Sequence, residues 1–237
     1  MININSVYQK VLALANKEQR GYITPQEFNL LADKAQNEIY ENYFYQLNMA
    51  QVKPKSQGTH EDIVEAIETK LEGFIAEDSI TIETTGISIN TIPSNSFRII
   101  SISDSTTNVP ATKTSYRELD YILNGSLTKP NSSRRIYTVN SDGYLRFYPA
   151  PTSQLVNGYT VRYYKSPSSP KWTYVVVNDK ALYNASANDA QNFELHISEE
   201  ENLVSKILNL AGLTIKQPDV QQAGIMQTQM NKQEQNS

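Results

Sequence analysis

The stretch Arg134–Trp172 constrains the fold most, because it contains three short runs of aromatic and β-branched residues. These runs cover 135–139, 144–148 and 159–164. Between the first two lies Asn140-Ser141-Asp142-Gly143, and Asp-Gly is frequent in tight hairpin turns, which need residues with positive φ. Pro167 and Pro170 follow the third run, and proline cannot donate a hydrogen bond within a sheet. The stretch therefore predicts β-strands that leave the sheet through proline-containing loops.

Helix starts are indicated by capping boxes, in which a hydroxyl stands three residues before Glu or Gln. These boxes pair Ser6 with Gln9, Thr24 with Glu27, Ser115 with Glu118 and Ser198 with Glu201. With the amphipathic runs that follow, they predict helices over 6–16, 24–50, 115–124 and 198–211. Apolar residues at helical spacing predict one more helix over 60–73. The last helix is expected to end at Gly212, since glycine commonly follows a helix end.

Between the helices, alternating apolar residues predict further strands, because side chains along a strand point to opposite faces. These strands cover 80–83, 87–89, 97–102, 172–177 and, as a return to the sheet, 193–197. The small and polar residues 178–192 are interpreted as a flexible excursion. The chain is thus predicted to be α+β, with an antiparallel β-sandwich or barrel-like centre. The predicted parts are a helical bundle arm (1–78), a β-rich domain (79–197), a C-terminal helix (198–212) and an extended polar tail (213–237).

Tyrosine is unusually abundant, with 15 Tyr against 6 Phe and 1 Trp, in a chain of low hydrophobic content (39%) and mean hydropathy −0.50. Tyrosine is favoured at protein interfaces because it combines a large apolar body with a polar tip. It also suits half-buried strands, so both roles stay open. The aromatic residues Tyr163, Tyr164 and Trp172 are the candidates for partner-facing positions.

Charge is distributed unevenly along the chain, whose net charge is −4. Residues 1–78 carry 7 Lys/Arg and 12 Asp/Glu (−5), residues 79–192 carry 11 and 7 (+4), and residues 193–237 carry 3 and 6 (−3). This split is explained either by complementary contacts between neighbouring copies or by solvated faces. The cations Arg134, Arg135, Lys113 and Arg117 are too few for the basic stripe of a nucleic-acid-binding protein.

Signals for catalysis, metals and cofactors are missing from the sequence. There is no cysteine, which excludes disulfides and thiol chemistry, and neither histidine, His60 nor His196, stands in a nucleophile motif. Phosphate-binding glycine loops are also missing. The acidic run Glu199-Glu200-Glu201 is explained by the first turn of a helix, where carboxylates are favoured. No apolar run reaches the length of a membrane span, and no signal peptide begins the chain. We therefore expect a soluble protein that is not an enzyme and uses no cofactor.

The C-terminal segment 213–237 changes character, with seven Gln and few apolar residues. Such a segment cannot bury enough apolar surface to fold alone. It is either a frayed terminus or a strap that becomes ordered on a partner. The candidate anchors of such a strap are Leu213, Ile215, Val220, Ile225, Met226 and Met230.

Three segments carry a family resemblance: Gly21–Phe44, Tyr163–Trp172 and Glu199–Val220. In this arrangement the chain resembles the head-to-tail adaptor proteins of short-tailed bacteriophages, of the tail tubular protein A type, and the ring or connector proteins of crAss-like phages. The likeness is one of overall pattern and contains no invariant catalytic signature.

The resemblance implies a structural subunit of the virion, assembled in the host cytoplasm, that forms a ring of commonly about twelve copies between portal and tail. It implies that Leu213–Ser237 docks into the portal, that DNA passes without sequence-specific contact, and that other ring or tail proteins are neighbours. The insertion at 178–192 also leaves room for a second-ring component. The alternative is a carbohydrate- or receptor-binding module of a phage tail, gripping its ligand with Tyr163, Tyr164 and Trp172. A hydrolase is third, disfavoured by the missing motifs.

Overall fold

The computed structural model describes residues 1–17, 23–52, 59–178 and 180–214. Its helices and strands follow in the order α1 (Ile4–Lys17), α2 (Pro25–Val52), α3 (Thr59–Leu71), β1 (Ile75–Ile82), β2 (Ser96–Asp104), β3 (Pro110–Lys113), α4 (Tyr116–Asn124), β4 (Ile136–Val139), β5 (Leu145–Tyr148), β6 (Leu155–Lys165), β7 (Tyr174–Val177), β8 (Lys180–Tyr183) and α5 (Glu200–Thr214). Short 3₁₀ turns at Glu72–Phe74 and Ile197–Glu199 precede β1 and α5. The order confirms the predicted α+β class with helices at both ends.

The chain divides into two compact units. Residues Phe74–Ser166 form one, which we call the β unit, and the residues before and after it form the other, the helical unit. The predicted β-rich domain extended to residue 197, whereas residues from Pro167 onward belong to the helical unit. The reason is that their side chains and backbone bond to α1 and α2, as described below.

The capping box at Thr24 is present as predicted. The Thr24 N–H donates to Glu27 Oε2 at 2.9 Å, and the Glu27 N–H donates to Thr24 Oγ1 at 3.2 Å. These bonds satisfy backbone donors at the first turn of α2. Ser115 likewise accepts from the Glu118 N–H and caps α4. Both predictions depended on residues close in sequence, and both are confirmed.

The other two capping predictions are wrong. The side chain of Asn3, not Ser6, caps α1, accepting from the N–H groups of Asn5 and Ser6 at 2.9 and 3.0 Å. At the C-terminal helix, Ser198 lies in the 3₁₀ turn that His196 caps, so α5 begins two residues later. Gly212 lies within α5, because the helix continues to Thr214.

The β unit is a single mixed sheet with strand order β1-β6-β2-β3-β4-β5. All neighbours are antiparallel except β3 and β4, which run parallel. Beyond β1, Ile87 bridges to Arg146 in β5, the other end of the strand order, so the sheet curls into a half-barrel. Its concave core consists of Ile80, Ile82, Ile102, Tyr137, Leu145, Phe147, Tyr159, Val161 and Tyr163. Of the two predicted centres, the barrel-like one is therefore the better description.

Two glycines with positive φ shape this sheet. Gly143 closes the predicted β4–β5 turn with φ 77°, and its N–H donates to the Asn140 carbonyl. Gly86 also has φ 77°, and a Cβ there would lie 2.5 Å from the Phe147 carbonyl oxygen. The Phe147 N–H donates to the Gly86 carbonyl at 2.7 Å. Only glycine allows this approach, which closes the half-barrel.

Two further predictions in the segment after Trp172 are wrong. Residues 180–183, expected to be a flexible excursion, form β8, which pairs antiparallel with β7. Residues 193–197 were expected to join the sheet, but Phe193 makes only an isolated bridge to Ile2. The segment therefore adds a separate two-stranded sheet and a contact with the start of α1.

Candidate interaction surfaces

Trp172 lies in the core of the helical unit, only 2% exposed. Its indole Nε1–H donates to Asn5 Oδ1 at 3.0 Å, and its ring centroid is 4.1 Å from that of Tyr8 in α1. Its backbone N–H donates to Asn29 Oδ1 at 2.8 Å, and its carbonyl accepts from Asn29 Nδ2 at 3.2 Å. The predicted partner-facing position of Trp172 is therefore wrong, because this residue fixes the chain after the β unit to α1 and α2.

A buried glutamine makes a second connection of the same kind. Gln36, in α2, donates from Nε2 to the Ser168 carbonyl at 2.9 Å and accepts at Oε1 from the Glu194 N–H at 3.1 Å. The Glu194 carboxylate in turn accepts from Ser168 Oγ at 3.0 Å. Through these bonds the buried Gln36 side chain connects α2 to the two loops that contain Ser168 and Glu194. No local signal in the sequence predicts this connection.

The tyrosines predicted to face a partner are also not exposed. Tyr163 is buried in the β unit, where its hydroxyl donates to Asp78 Oδ2 at 2.7 Å. Burial, and then the bond and charge of Asp78, raise the pKa of Tyr163 to about 12. Tyr164 is half-buried in β6. A carbohydrate-gripping platform needs exposed rings, and these three aromatic residues do not provide one.

The β7–β8 hairpin exposes several apolar side chains in the helical unit. At its base the rings of Tyr174 and Tyr183 stack on Trp172, each at 5.7 Å between centroids. On the other face, the cross-strand pair Val175 and Leu182 is about half exposed, as is Val177. Val176, on the same face as Tyr174 but farther from the base, is 64% exposed. We call Val175, Val177 and Leu182 the hairpin patch.

The hairpin patch has the features of a surface that a partner covers. Within the described part of the chain the hairpin is a two-stranded sheet, so both outer edges lack a neighbouring strand. Hairpins of two strands are marginal alone, and exposed apolar clusters commonly mark protein contacts. The run Tyr174–Val177 was visible in the sequence, but its exposure was not.

The β unit exposes a smaller apolar site on α4 and the loop after it. Leu119 packs inward and is buried, whereas Tyr121 is 80% and Leu127 92% exposed. Single exposed apolar residues are ordinary on protein surfaces. We therefore assign no contact to this site.

The acidic run at the start of α5 is engaged in ion pairs. Glu199 is buried; its Oε1 lies 2.7 Å from Lys70 Nζ, and its Oε2 accepts from Asn202 Nδ2 at 2.8 Å. Burial and the charge of Glu199 together raise the pKa of Tyr43 far above its usual range. Glu200 and Glu201 both pair with Lys10, at 3.0 and 2.6 Å. The run thus joins α5 to α1 and α3, rather than only favouring its own first turn.

Other candidate chemistry is limited in the residues that the structure covers. No group of three or more potential metal-ligating side chains occurs among them. None of their helices is both long and apolar enough to span a membrane. Leu213 belongs to α5, and the other predicted anchors, Ile215, Val220, Ile225, Met226 and Met230, lie outside the described residues.

Comparison with known families gives a match. The model of the family described as SU10 adaptor protein matches residues 46–193. The matched region begins in α2 and ends at Phe193, so it includes the whole β unit, the Trp172 segment and the β7–β8 hairpin. No curated protein sequence matches the chain.

Proposed function

This chain belongs to the SU10 adaptor protein family, and on that basis we propose that it is a structural subunit of the connector that joins a bacteriophage portal to its tail. The match over residues 46–193 is the observation that carries the proposal. In this role the subunit associates with other head and tail proteins and performs no catalysis. Copies form a ring below the portal, through which DNA is retained and then conducted.

The hairpin patch supports the ring, because a ring requires heterologous contacts between unlike surfaces of neighbouring copies. Val175, Val177 and Leu182 offer an apolar contact that the helical unit leaves open. Tyr174 and Tyr183 stack on the buried Trp172 at the base of the hairpin, and a hairpin packed in this way loses little conformational freedom when a neighbour covers it. The patch is too small for a whole stable interface, which buries roughly 800 Å² on each partner, and it therefore forms one part of it.

The C-terminal tail is assigned to the portal, as the family resemblance implies. Its candidate anchors are apolar residues spaced along a polar segment, a composition that suits ordering on a partner. Each tail needs only a weak contact, since many tails in one ring act together and raise the effective concentration. DNA passes without sequence-specific contact, and its passage depends on the channel rather than on any base-reading residue.

The hairpin contact is tested by the double variant Val175→Thr/Val177→Thr. Threonine keeps the β-branched shape and strand propensity, so the hairpin should fold, but its hydroxyl weakens an apolar contact. We expect incorporation of this variant into tailed particles to fall by about tenfold or more in a competition with the native chain. Val156→Thr, at a valine of β6 that is 68% exposed against 47% for Val175 and Val177, is the control and should compete as well as the native chain. Equal incorporation of both variants would show that the hairpin is not part of the interface.

The tail is tested by a chain that ends after Thr214, where α5 ends. This truncation should leave the helical and β units folded, with a circular dichroism spectrum like that of the full chain. Its binding to purified portal should be lost. Binding that survives the truncation would place the portal contact elsewhere on the chain.

A further inference from the structure

A polar pocket of about 250 Å³ opens on the β unit, beside the turn that joins β2 to β3. One wall is the loop that leads into β4, including Ser132, Ser133 and Arg135. The β2–β3 turn contributes Thr107 and the aliphatic side chain of Val109 to the lining. The pocket therefore combines a guanidinium, hydroxyl groups and a short apolar wall.

Arg135 has an unusual set of partners at this pocket. Its Nη1 donates to the Tyr159 hydroxyl at 3.0 Å, and its guanidinium lies 5.9 Å from the centroid of that ring. Its Nε–H is buried and has no hydrogen-bond partner within the described residues. A buried donor without a partner is costly and requires an explanation such as an absent ligand. Guanidinium Nε–H belongs to the donor fork that binds a carboxylate through two parallel bonds.

A second charge in the pocket limits which anion can bind. Asp104 Oδ1 accepts the N–H groups of Thr106 and Thr107, each at 2.9 Å. Burial opposes its ionisation, but these bonds and the charge of Arg135 outweigh burial and lower the pKa of Asp104. The pocket is thus close to neutral before a ligand enters. A polyanion such as nucleic acid requires unopposed positive charge, which this pocket lacks.

We propose that this pocket binds the carboxylate of a glutamate side chain presented by a neighbouring protein chain. The carboxylate oxygens take the Nε–H and Nη–H donors of Arg135 and a hydroxyl from the 132–133 loop. The aliphatic stem of the glutamate packs on Val109 and the adjoining Pro110. Since solvent does not reach Nε in the free chain, a carboxylate binds this donor only when the atoms that cover it move aside. That the glutamate comes from a neighbouring subunit rests on the proposed adaptor function.

The test is a nuclear magnetic resonance titration of the arginine Nε–H signals of the full chain. The probes are N-acetylglutamate N-methylamide, its neutral glutamine analogue and inorganic phosphate. We expect the glutamate probe to shift the Arg135 signal saturably, with an affinity on the order of millimolar. The glutamine probe should bind at least about tenfold more weakly, since its bonds to the guanidinium are not charge-assisted. The Arg134 signal should not move, because this neighbouring arginine is exposed and donates to the Thr128 carbonyl.

Two variants separate ligand binding from folding. Arg134→Gln should keep the Arg135 shift. Arg135→Gln has no such signal, so binding to it is followed by the backbone amide signals of Ser132 and Ser133, whose shifts with the glutamate probe should be lost. Ser133→Leu retains the guanidinium but fills the pocket from an exposed loop position, and it should also lose the response. Amide spectra show whether each variant is folded.

The proposal is overturned by any of three results: no saturable shift, equal affinity for the glutamate and glutamine probes, or tighter binding of phosphate. Unchanged binding in the folded Ser133→Leu variant would also overturn it. The titration uses a small molecule and the chain alone. A negative titration would therefore not contradict the adaptor function. A chain that forms no rings should still bind the glutamate probe in this pocket.

Discussion

Truncation of Trp172 should unfold the helical unit at much lower denaturant concentration than in the native chain. The indole is 2% exposed and contacts Tyr8 in α1 and both tyrosines of the hairpin. Its Nε1–H also bonds to Asn5 across 167 residues of sequence. Replacing it with alanine removes all of these side-chain contacts while retaining the backbone bonds to Asn29.

The magnitude follows from the kinds of contact that are lost. Removing a buried Trp or Phe side chain costs about 3–5 kcal/mol, which includes the cavity that remains. The lost indole bond adds about 1 kcal/mol, because Asn5 Oδ1 then lacks this donor. Trp172→Ala should therefore destabilise the unit by about 4–6 kcal/mol. Trp172→Phe, which keeps much of the ring packing, should cost about 2 kcal/mol. The larger loss is comparable to the whole stability of many domains.

Urea unfolding followed by the helical circular dichroism signal measures this loss, since α1, α2, α3 and α5 all belong to the helical unit. Trp172 is the single Trp of the chain, so its native fluorescence should be that of an indole shielded from water. Tyr121→Ala, which truncates an exposed aromatic residue, is the control and should change stability by less than about 0.5 kcal/mol. A Trp172→Ala loss below about 1 kcal/mol would refute the assignment of Trp172 to the core.

Four further substitutions test other contacts. Gly86→Ala should destabilise the β unit by about 2 kcal/mol in urea unfolding, because positive φ and the close carbonyl both oppose a Cβ. Gly143 has the same φ, but no atom lies within 4 Å of a Cβ built there, so Gly143→Ala should cost only about 1 kcal/mol. Equal losses for the two variants would contradict the close contact between Gly86 and Phe147. Lys70→Met leaves the Glu199 carboxylate buried without its cation and should cost about 2 kcal/mol at pH 7. A loss below about 0.5 kcal/mol in urea unfolding would exclude a stabilising role for this buried pair. Tyr163 in the folded state has its pKa raised to about 12, so it favours folding below pH 10 and loses that contribution as pH rises through 12. Chemical unfolding of Tyr163→Phe against pH should lack this alkaline loss, and a profile identical to the native one would refute it.

Local signals predicted the parts of this fold that local bonds stabilise. The Thr24 box and the Asn140–Gly143 turn were correct, since each is satisfied within four residues. Ser6 was wrong because a second capping residue, Asn3, stands three residues earlier and takes the role. A capping signal therefore predicts that a helix begins nearby better than it predicts at which residue.

The solvent exposure of individual side chains could not be predicted from the sequence. Tyr163 and Trp172 have the composition of interface residues, but burial is decided by partners far away in the chain, such as Asp78 and Asn5. The hairpin patch was missed because residues 178–192 are mostly small and polar, a composition that is typical of a loop. Residues 180–183 form a strand only by pairing with β7, and this pairing has no signal in the sequence. The β3–β4 parallel pairing likewise depends on a connection that has no sequence signature.

The adaptor proposal is tested most directly by the mass and shape of the chain in solution, with and without its cognate portal. Light scattering and negative-stain microscopy on the same samples give both quantities. The account predicts rings of the full chain, formed alone or on the portal, with the portal bound at one face. A chain that stays monomeric and does not associate with the portal would contradict it.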